Sequence, residues 1–309
     1  MFRWNIPHSN RRKFNFWKLG AILSIPSAFL AYQYKCISEE SALSNNNKFL
    51  LFKLFPLKLI SKIFGKLSSI ENEFIKNRML DIYTSLYSCQ YEGNLYDFKS
   101  LQNFFIRPLK RKIEWSRLVS PSDGIVMSCG PVSDQHIEQI KGFGYSVRKL
   151  FGTKNIPETN LHQITIYLRP QDYHRFHAPA DMTLKKIKHF DGELFSVSKW
   201  MQRNIGGLFL LNERVALIGE SKFGFMGVSL IGATNVGNIK LHSWPELQTN
   251  CTVFPKLGTQ LEKEIDLNLS RGEEVGYFLL GSAIVLLFER KNFKFSVKRG
   301  DEIRYGQKL

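Results

Sequence analysis

From Leu118 to the C-terminus, short apolar runs alternate with glycine, proline, asparagine and aspartate. The runs are four to seven residues long, which is typical of strands and too short for most helices. They cover residues 124–127, 162–168, 183–189, 215–218, 226–231 and 238–241, and finally residues 277–280 and 283–288. Strands at this spacing predict a mainly antiparallel sheet, sandwich or barrel.

The first third of the chain has a different character. Residues 70–91 are helix-like, and residues 98–109 predict a further helix that ends at Pro108. We therefore expect an α+β, mainly β protein, in which an N-terminal membrane segment and helices precede an antiparallel β-rich, sandwich-like or barrel-like catalytic domain. Residues 1–47 are interpreted as a targeting leader, membrane span and linker, residues 48–115 as a helical membrane-docking region, and residues 116–309 as the catalytic domain.

The extreme N-terminus resembles a targeting segment. Residues 1–38 contain six basic residues and no acidic one, and residues 19–34 form a stretch of sixteen residues without a charge. This stretch is slightly shorter than the ~20 residues that span a bilayer. A secretory signal peptide or a cleaved leader has a similar pattern, and we favour a single membrane span over both. The basic side should stay in the matrix or cytoplasm.

The charge of +16 indicates an anionic partner. Lys58, Lys62 and Lys66 recur every four residues opposite apolar side chains, which predicts a basic amphipathic helix. Such a helix either docks on an anionic membrane surface or packs on the domain as an ordinary surface helix. No aromatic and basic RNA-binding signature accompanies it, so we expect no nucleic acid partner. The four cysteines contain no C-x-x-C pair, and we predict no metal site.

The dipeptide Gly281-Ser282 separates the last two apolar runs, and this pattern predicts a β-hairpin with a hydroxyl at its tip. Gly-Ser is a common hairpin turn that needs no chemistry to explain it. In the alternative interpretation, Ser282 is a nucleophile that attacks the preceding carbonyl. Gly281 suits this role, because a residue without a Cβ lets an oxygen approach its carbonyl carbon closely.

Two other segments carry groups that could activate a serine. His174 and His177 lie in a loop that follows an apolar run and begins with Arg169-Pro170, and catalytic groups are often displayed on such loops. These histidines could instead be two metal ligands, although no pattern for a third ligand lies near them, or they could be structural side chains. Asp123 precedes a glycine at the start of a predicted strand, where most aspartates only shape a turn. Together with Ser282, they satisfy the logic of an Asp-His-Ser triad.

Six motifs occur in order along the chain: PSDG at 121–124, DYHRFHAP at 172–179, ELFSV at 193–197, NERV at 212–215, VSLIGATNVG at 228–237 and GYFLLGSAIVLLF at 276–288. With these motifs the sequence resembles a known family, the phosphatidylserine decarboxylases, which are pyruvoyl-dependent lyases. The resemblance covers about two thirds of the chain, from Phe98 to the C-terminus, and the leader of the chain resembles that of the mitochondrial inner-membrane branch. Ala283 departs from the Thr or Ser that usually follows the cleavage serine, which bears on the rate of maturation only.

The resemblance implies a self-cleaving proenzyme. Asp123, His177 and Ser282 match the self-cleavage triad, and cleavage between Gly281 and Ser282 would give a large and a small chain. Ser282 would become the covalent pyruvoyl cofactor, which forms a Schiff base with the amine of phosphatidylserine, and His174 matches the histidine of the decarboxylation step. The product would be phosphatidylethanolamine.

The resemblance also implies a homodimer in the mitochondrial inner membrane, with the catalytic domain facing the intermembrane space. Two rival classes remain open from the residues alone. The first is a Ser-His-Asp hydrolase on a membrane anchor, and the second is a non-enzymatic membrane-anchored β-sandwich.

Overall fold

The computed structural model describes residues 57–140, 143–198, 201–202, 205–234, 238–251, 260–279 and 282–309. The predicted leader, membrane span and linker of residues 1–47 lie outside this part of the chain, as does Gly281. No helix formed by the described residues has the length and apolar character needed to cross a bilayer. The described residues belong to one compact unit.

In the part of the chain that the structure describes, three α-helices precede the strands. They are α1 (Leu57–Ser68), α2 (Glu73–Leu86) and α3 (Leu101–Phe105), with a 3₁₀ turn at Leu95–Asp97 between the last two; α4 (Val147–Phe151) and α5 (Leu208–Leu211) lie among the strands. The Ser100 side chain caps α3 by accepting a hydrogen bond from Asn103 N at 3.1 Å. This helix is shorter than the predicted 98–109, because the residue before Pro108 avoids helical dihedral angles.

Thirteen strands are present in the described residues. They are β1 (Gly124–Pro131), β2 (His136–Ile140), β3 (Phe143–Ser146), β4 (Leu161–Leu168), β5 (Arg175–His177), β6 (Met182–Phe190), β7 (Arg214–Ser221), β8 (Gly224–Ile231), β9 (Ile239–Leu241), β10 (Gln260–Leu269), β11 (Glu274–Phe278), β12 (Ser282–Glu289) and β13 (Glu302–Ile303). A large sheet has the order β10-β6-β7-β8-β12-β4-β1-β13, a small one has β5-β11-β9, and β2 pairs with β3. All pairings between these thirteen strands are antiparallel, so the mainly β, antiparallel prediction is confirmed.

The large and small sheets share one hydrophobic core. Ile166 and Ile284 of the large sheet belong to the same buried cluster as Phe176, Val275 and Phe278 of the small sheet. Strands alternate their side chains between faces, so every second residue of β4 and β12 points into this core. The small sheet therefore covers the face of the large sheet on which Ser282 lies.

The predicted hairpin around Gly281-Ser282 is wrong. β11 pairs with β5 and β9 of the small sheet, whereas β12 lies between β4 and β8 in the large one. The reason is burial: residues 283–288 are all fully buried, so β12 needs packing on both faces and hydrogen-bond partners on both edges. A two-stranded hairpin could supply only one such edge. The predicted cleavage bond therefore lies where the chain passes from one sheet to the other.

The lysine face predicted for α1 is also wrong at Lys58. This side chain is only 1% exposed, and its Nζ lies 2.6 Å from Asp191 Oδ1 and 3.2 Å from Glu213 Oε2. Leu59 and Ile63 of the same helix are exposed instead. Two carboxylates at a buried position require a compensating charge, which draws Lys58 inward and turns apolar residues outward.

Candidate active site

Ser282 is the first residue of β12 and lies opposite Leu168 of β4. Its side chain is 0% exposed, and its Oγ has no hydrogen-bond partner among the described residues. A buried hydroxyl without a partner costs about 1–3 kcal/mol relative to a satisfied one. The hydroxyl therefore adds no hydrogen bond that stabilises the fold, and a chemical role explains why a serine lies here.

Asp123 lies at the same end of the large sheet as Ser282. Ile125 and Ala283 are both opposite Tyr167, one on each side of β4, so strands β1 and β12 are two strand spacings, or about 10 Å, apart. Gly124 permits the close entry of β1, because a Cβ there would lie 2.4 Å from the carbonyl oxygen of Tyr167. The glycine of the PSDG motif therefore has a direct steric explanation.

The Asp123 carboxylate is held by two donors. Its Oδ1 accepts a hydrogen bond from Tyr305 N at 2.9 Å and another from the Arg111 guanidinium. The Tyr305 ring in turn stacks on His177, with 4.3 Å between ring centroids and 11° between planes. Asp123 and His177 thus belong to one cluster, which Tyr305 joins together.

Both nitrogens of His177 have partners in this cluster. Nδ1 donates to Gly272 O at 2.9 Å, and Nε2 accepts from the Tyr173 hydroxyl at 3.1 Å. Burial lowers the pKa of His177, because the charged form loses hydration. Its ring orientation is fixed by Gly272 and Tyr173 in the chain as it stands before cleavage.

His174 has a different environment. It is 0% exposed, its Nδ1 donates to Asp172 O at 2.7 Å, and its Nε2 has no partner. The ring lies on Phe105, with 4.0 Å between centroids. Burial, the main cause, and the Arg107 charge together lower the pKa of His174 to about 3. The imidazole is therefore neutral, with a lone pair available on Nε2.

The two histidines lie at opposite ends of β11. His174 O accepts from Phe278 N at 2.9 Å at the end of this strand, whereas His177 is paired with Glu274 at its start. β12 begins at Ser282, shortly after Phe278. Along β11, His174 is thus the histidine nearer to the predicted cleavage bond, and Asp123 and His177 form the adjoining cluster.

The family model for phosphatidylserine decarboxylase matches residues 98–309 of this sequence, which include all of these groups. The chain belongs to the phosphatidylserine decarboxylase family. A mitochondrial phosphatidylserine decarboxylase proenzyme of Caenorhabditis elegans is 38% identical, over 86% of this chain and 74% of its own length. The corresponding proenzyme of Cricetulus griseus is 35% identical over 84% and 73%, and proenzyme 1 of Saccharomyces cerevisiae is 29% identical over 86% and 74%.

A cavity of about 420 Å³ opens beside the Asp123 cluster in this member of the decarboxylase family. Its lining includes Arg107, Arg111 and Arg169 as well as the carboxylates of Asp123 and Asp172. Arg169 is paired with Asp172 at 2.9 Å, and Arg111 is paired with Asp123. The charges in this cavity are largely compensated within the protein.

Sequence reasoning missed four of the residues that hold these groups. Tyr173 was within the quoted DYHRFHAP motif, but nothing in the motif identified its hydroxyl as the partner of His177. Arg107 and Arg111 follow two phenylalanines in a segment interpreted as docking helices, and Tyr305 has no local signal at all. Their roles depend on contacts between residues far apart in the chain.

Proposed function

We propose that this chain is a phosphatidylserine decarboxylase proenzyme, which cleaves itself between Gly281 and Ser282 and then converts phosphatidylserine to phosphatidylethanolamine and CO₂. One observation carries the proposal within this family: Ser282 Oγ is buried without a partner at the first residue of β12. A hydrolase nucleophile must remain accessible to an external substrate, whereas a serine that attacks its own chain need not.

Self-cleavage starts with attack of Ser282 Oγ on the carbonyl carbon of Gly281. The C–O bond forms as the C–N bond breaks, and a base carries the hydroxyl proton to the leaving nitrogen, which gives an ester and a free amine on residue 282. Elimination then releases the Gly281 carboxylate and leaves dehydroalanine, and addition of water releases ammonia and leaves the pyruvoyl group. The chains are residues 1–281, before any leader removal, and residues 282–309.

We assign the self-cleavage triad to Asp123, His177 and Ser282, with His177 as the base. Tyr305 contacts both Asp123 and His177, because its backbone N–H donates to the carboxylate and its ring stacks on the imidazole. His174, whose Nε2 has no partner among the described residues, is the alternative base for self-cleavage. We assign His174 to decarboxylation instead, and individual histidine variants distinguish the two roles.

The small chain has strong reasons to remain bound after cleavage. β12 is hydrogen-bonded to β4 on one side and β8 on the other, and β13 pairs with β1. Tyr305 of the same segment donates its backbone N–H to Asp123 of the large chain. Separation would expose the fully buried residues 283–288, so the two chains should stay in one fold.

The surroundings of Ser282 suit a pyruvoyl group. The position is buried, its hydroxyl makes no hydrogen bond that conversion would break, and it lies on the same face as Leu168 and Ile284. A pyruvoyl carbonyl supplies an electron sink for loss of CO₂ from the substrate. The neutral imidazole of His174 can hold or accept a proton at Nε2, because its Nδ1–H is committed to Asp172 O.

A membrane-docking surface fits the lipid substrate. α1 and α2 expose the large apolar residues Leu59, Ile63, Phe74, Ile82 and Leu86, and Phe74 is 68% exposed. An exposed apolar patch of this kind marks an interaction surface. We propose that it inserts into the headgroup region of an anionic membrane, with the exposed Lys66 of α1 contacting the headgroups.

Lys58 is unsuitable for a charge-reversal test of docking, because it binds two carboxylates inside the fold. Replacing Phe74 and Leu86 by serine should weaken binding to phosphatidylserine-containing vesicles, and the Lys66→Glu variant should weaken it only at low salt. Leu261→Ser is the matched control, since this leucine is 51% exposed on β10 and belongs to neither helix. Equal vesicle binding by the double variant and the control would contradict docking through this surface.

We place the enzyme in the mitochondrial inner membrane, with the catalytic domain in the intermembrane space and the Leu19–Tyr34 stretch as the span. The names of the relatives support a mitochondrial location. Protease treatment of mitochondria with an intact inner and a ruptured outer membrane tests the orientation, since it should digest the catalytic domain. A homodimer, suggested by the family resemblance, is testable by the mass of the detergent-solubilised protein.

Intact-mass measurement of the purified protein separates the proposed enzyme from its rivals. The decarboxylase should give a fragment of residues 282–309 with a blocked N-terminus that carries a carbonyl, and it should form phosphatidylethanolamine in phosphatidylserine vesicles. A Ser-His-Asp hydrolase would keep one chain and react with a fluorophosphonate. A non-enzymatic sandwich would do neither, and an uncut chain in an active preparation would refute the proposal.

A further inference from the structure

Arg107, between α3 and Pro108, is a cation that the predicted mechanism does not use. It is only 1% exposed, and its guanidinium lies over the Phe104 ring, 4.9 Å from the centroid. Its hydrogen-bond acceptors among the described residues are all backbone carbonyls: Nε donates to Gln90 O, Nη1 donates to Phe104 O at 3.3 Å, and Nη2 donates to Gln171 O at 3.0 Å and to Asp172 O at 3.4 Å. The side chain thus joins the helical N-terminal segment to the loop that carries His174.

Such an arrangement is costly. None of the ion pairs between described residues includes Arg107, although a guanidinium taken out of water normally requires a carboxylate partner. Burial accordingly lowers the pKa of Arg107. An apolar side chain of similar volume would often be neutral or stabilising at a buried ionic position. What this charge contributes therefore depends on which carbonyls it holds.

One of its acceptors is also the partner of His174. Asp172 O accepts from Arg107 Nη2 at 3.4 Å and from His174 Nδ1 at 2.7 Å. A carbonyl can only accept, so Nδ1 must carry the hydrogen and Nε2 must carry the lone pair in the neutral ring. By fixing this carbonyl, Arg107 fixes the tautomer and the direction of the His174 ring.

Other contacts hold the same loop from the same side. Tyr83 of α2 donates its hydroxyl to Pro170 O at 2.6 Å, and Phe105 of α3 lies against the His174 ring. The Arg107 charge also disfavours protonation of His174 and so lowers its pKa, in addition to the larger effect of burial. The loop therefore receives both its position and part of its electrostatics from the segment before residue 108.

We propose that Arg107 is a positioning residue for decarboxylation, which holds Asp172 O so that His174 stays neutral with its Nε2 free. This inference rests on the proposed role of His174 in turnover. Arg107 itself contacts neither the reacting bond nor Ser282 in the described structure, so its effect should pass through the imidazole.

The test compares Arg107→Met and Arg107→Lys with a matched control, Arg214→Met. Arg214 is also buried and donates only to carbonyls, those of Leu150, Leu210 and Lys149, at 3.1, 3.0 and 3.0 Å. It pairs with Ile231, which pairs with Ala283, so its side chain lies on the face opposite Ser282. Loss of either guanidinium should cost similar stability, but only Arg107 connects to His174.

Arg107→Met should lower the kcat of the processed enzyme about 10²-fold with little change in KM, which is the size expected for a misplaced catalytic group. The acidic limb of its pH profile should move to higher pH, because removing the nearby cation raises the pKa of His174. Arg107→Lys keeps the charge but loses the planar fork, so its kcat should fall while its acidic limb stays near that of the parent. Arg214→Met should keep the parental kcat and pH profile.

A readout without catalysis uses ¹⁵N-histidine NMR of the uncut Ser282→Ala chain. The parent should show His174 in a single Nδ1–H tautomer, and Arg107→Met should lose this tautomer preference and titrate at higher pH. If the Met variant does not accumulate, the Lys variant decides, and its unchanged kcat would overturn the proposal. Equal kcat and pH profiles for Arg107→Met and Arg214→Met would also overturn it. Absence of decarboxylation in the parent would instead refute the proposed function, and the NMR comparison would still report on Arg107.

Discussion

His174 and His177 lie three positions apart, one just before β5 and the other at its end, yet their environments differ in the property that matters for proton transfer. His177 has partners on both nitrogens, Gly272 O and the Tyr173 hydroxyl, whereas His174 has a partner on Nδ1 alone. The free Nε2 of His174 is buried beside the end of β11, next to which the chain is expected to cleave. Spacing in a motif therefore identifies candidate histidines, but hydrogen bonding determines which one is available.

The largest expected effect comes from removing each histidine. We predict that His177→Ala and Ser282→Ala both abolish self-cleavage, and that His174→Ala still cleaves but loses turnover. Loss of a general acid or base typically costs about 10²–10⁴-fold in rate. The measurements are the intact mass after expression and phosphatidylethanolamine formation by any processed protein. Gln is a second replacement at both positions, which controls for cavities.

The opposite pattern would exchange the two roles. If His174→Ala remained uncut while His177→Ala matured, the free Nε2 of His174 would be the base for Ser282, and His177 would serve the stacked cluster. A His174→Ala enzyme with normal decarboxylation would remove its role in turnover.

Local sequence predicted the strands well, because the apolar residues that a strand buries are consecutive in the chain. The run at residues 162–168 became β4 (Leu161–Leu168), and the run at residues 183–189 became β6 (Met182–Phe190). Both combine β-branched or aromatic residues with flanking turn formers, which is the local signature of a strand. The motifs likewise identified Asp123, His174 and Ser282 as candidates that the structure brings to one end of the sheets.

Local sequence did not predict which residues from distant parts of the chain pair with each other. The Gly281-Ser282 turn signal suggested a hairpin, but β12 prefers two partners from other parts of the chain because it is buried on all sides. Lys58 followed the pattern of a surface lysine, although Asp191 and Glu213, more than a hundred residues away, draw it inward. Periodicity describes which faces of an element differ, and only the fold determines which face is buried.

The second prediction concerns pH and stability. The folded-state pKa of His174 is lowered to about 3, below its ordinary 6.5, so between these values the unfolded chain binds a proton that the folded chain does not. Stability should therefore fall with decreasing pH, by about 1.4 kcal/mol per pH unit for this one group. Urea unfolding of the uncut Ser282→Ala chain between about pH 6.5 and pH 5 measures this slope.

Adding His174→Gln to that chain should reduce the slope of the free energy of unfolding against pH by most of the ~1.4 kcal/mol per pH unit that one proton contributes. His177→Gln is the matched comparison, and it should also reduce the slope, because burial lowers the pKa of His177 as well. An unchanged slope after His174→Gln would show that this imidazole is protonated in the folded chain, and would contradict the neutral, proton-accepting state.

The smallest expected effect comes from making His177 resemble His174. Tyr173→Phe keeps the stacked ring but removes the hydroxyl that donates to His177 Nε2 at 3.1 Å. Loss of this hydrogen bond should cost about 0.5–1.5 kcal/mol of stability. Because the hydroxyl stabilises the neutral imidazole, its removal should also raise the pKa of His177, which histidine NMR can follow.

If His177 is the base for Ser282, freeing its Nε2 should speed self-cleavage or leave it unchanged. Slower cleavage by Tyr173→Phe would instead mean that the tyrosine hydroxyl holds His177 in its working orientation, and that a bonded nitrogen, rather than a free one, is what the reaction requires.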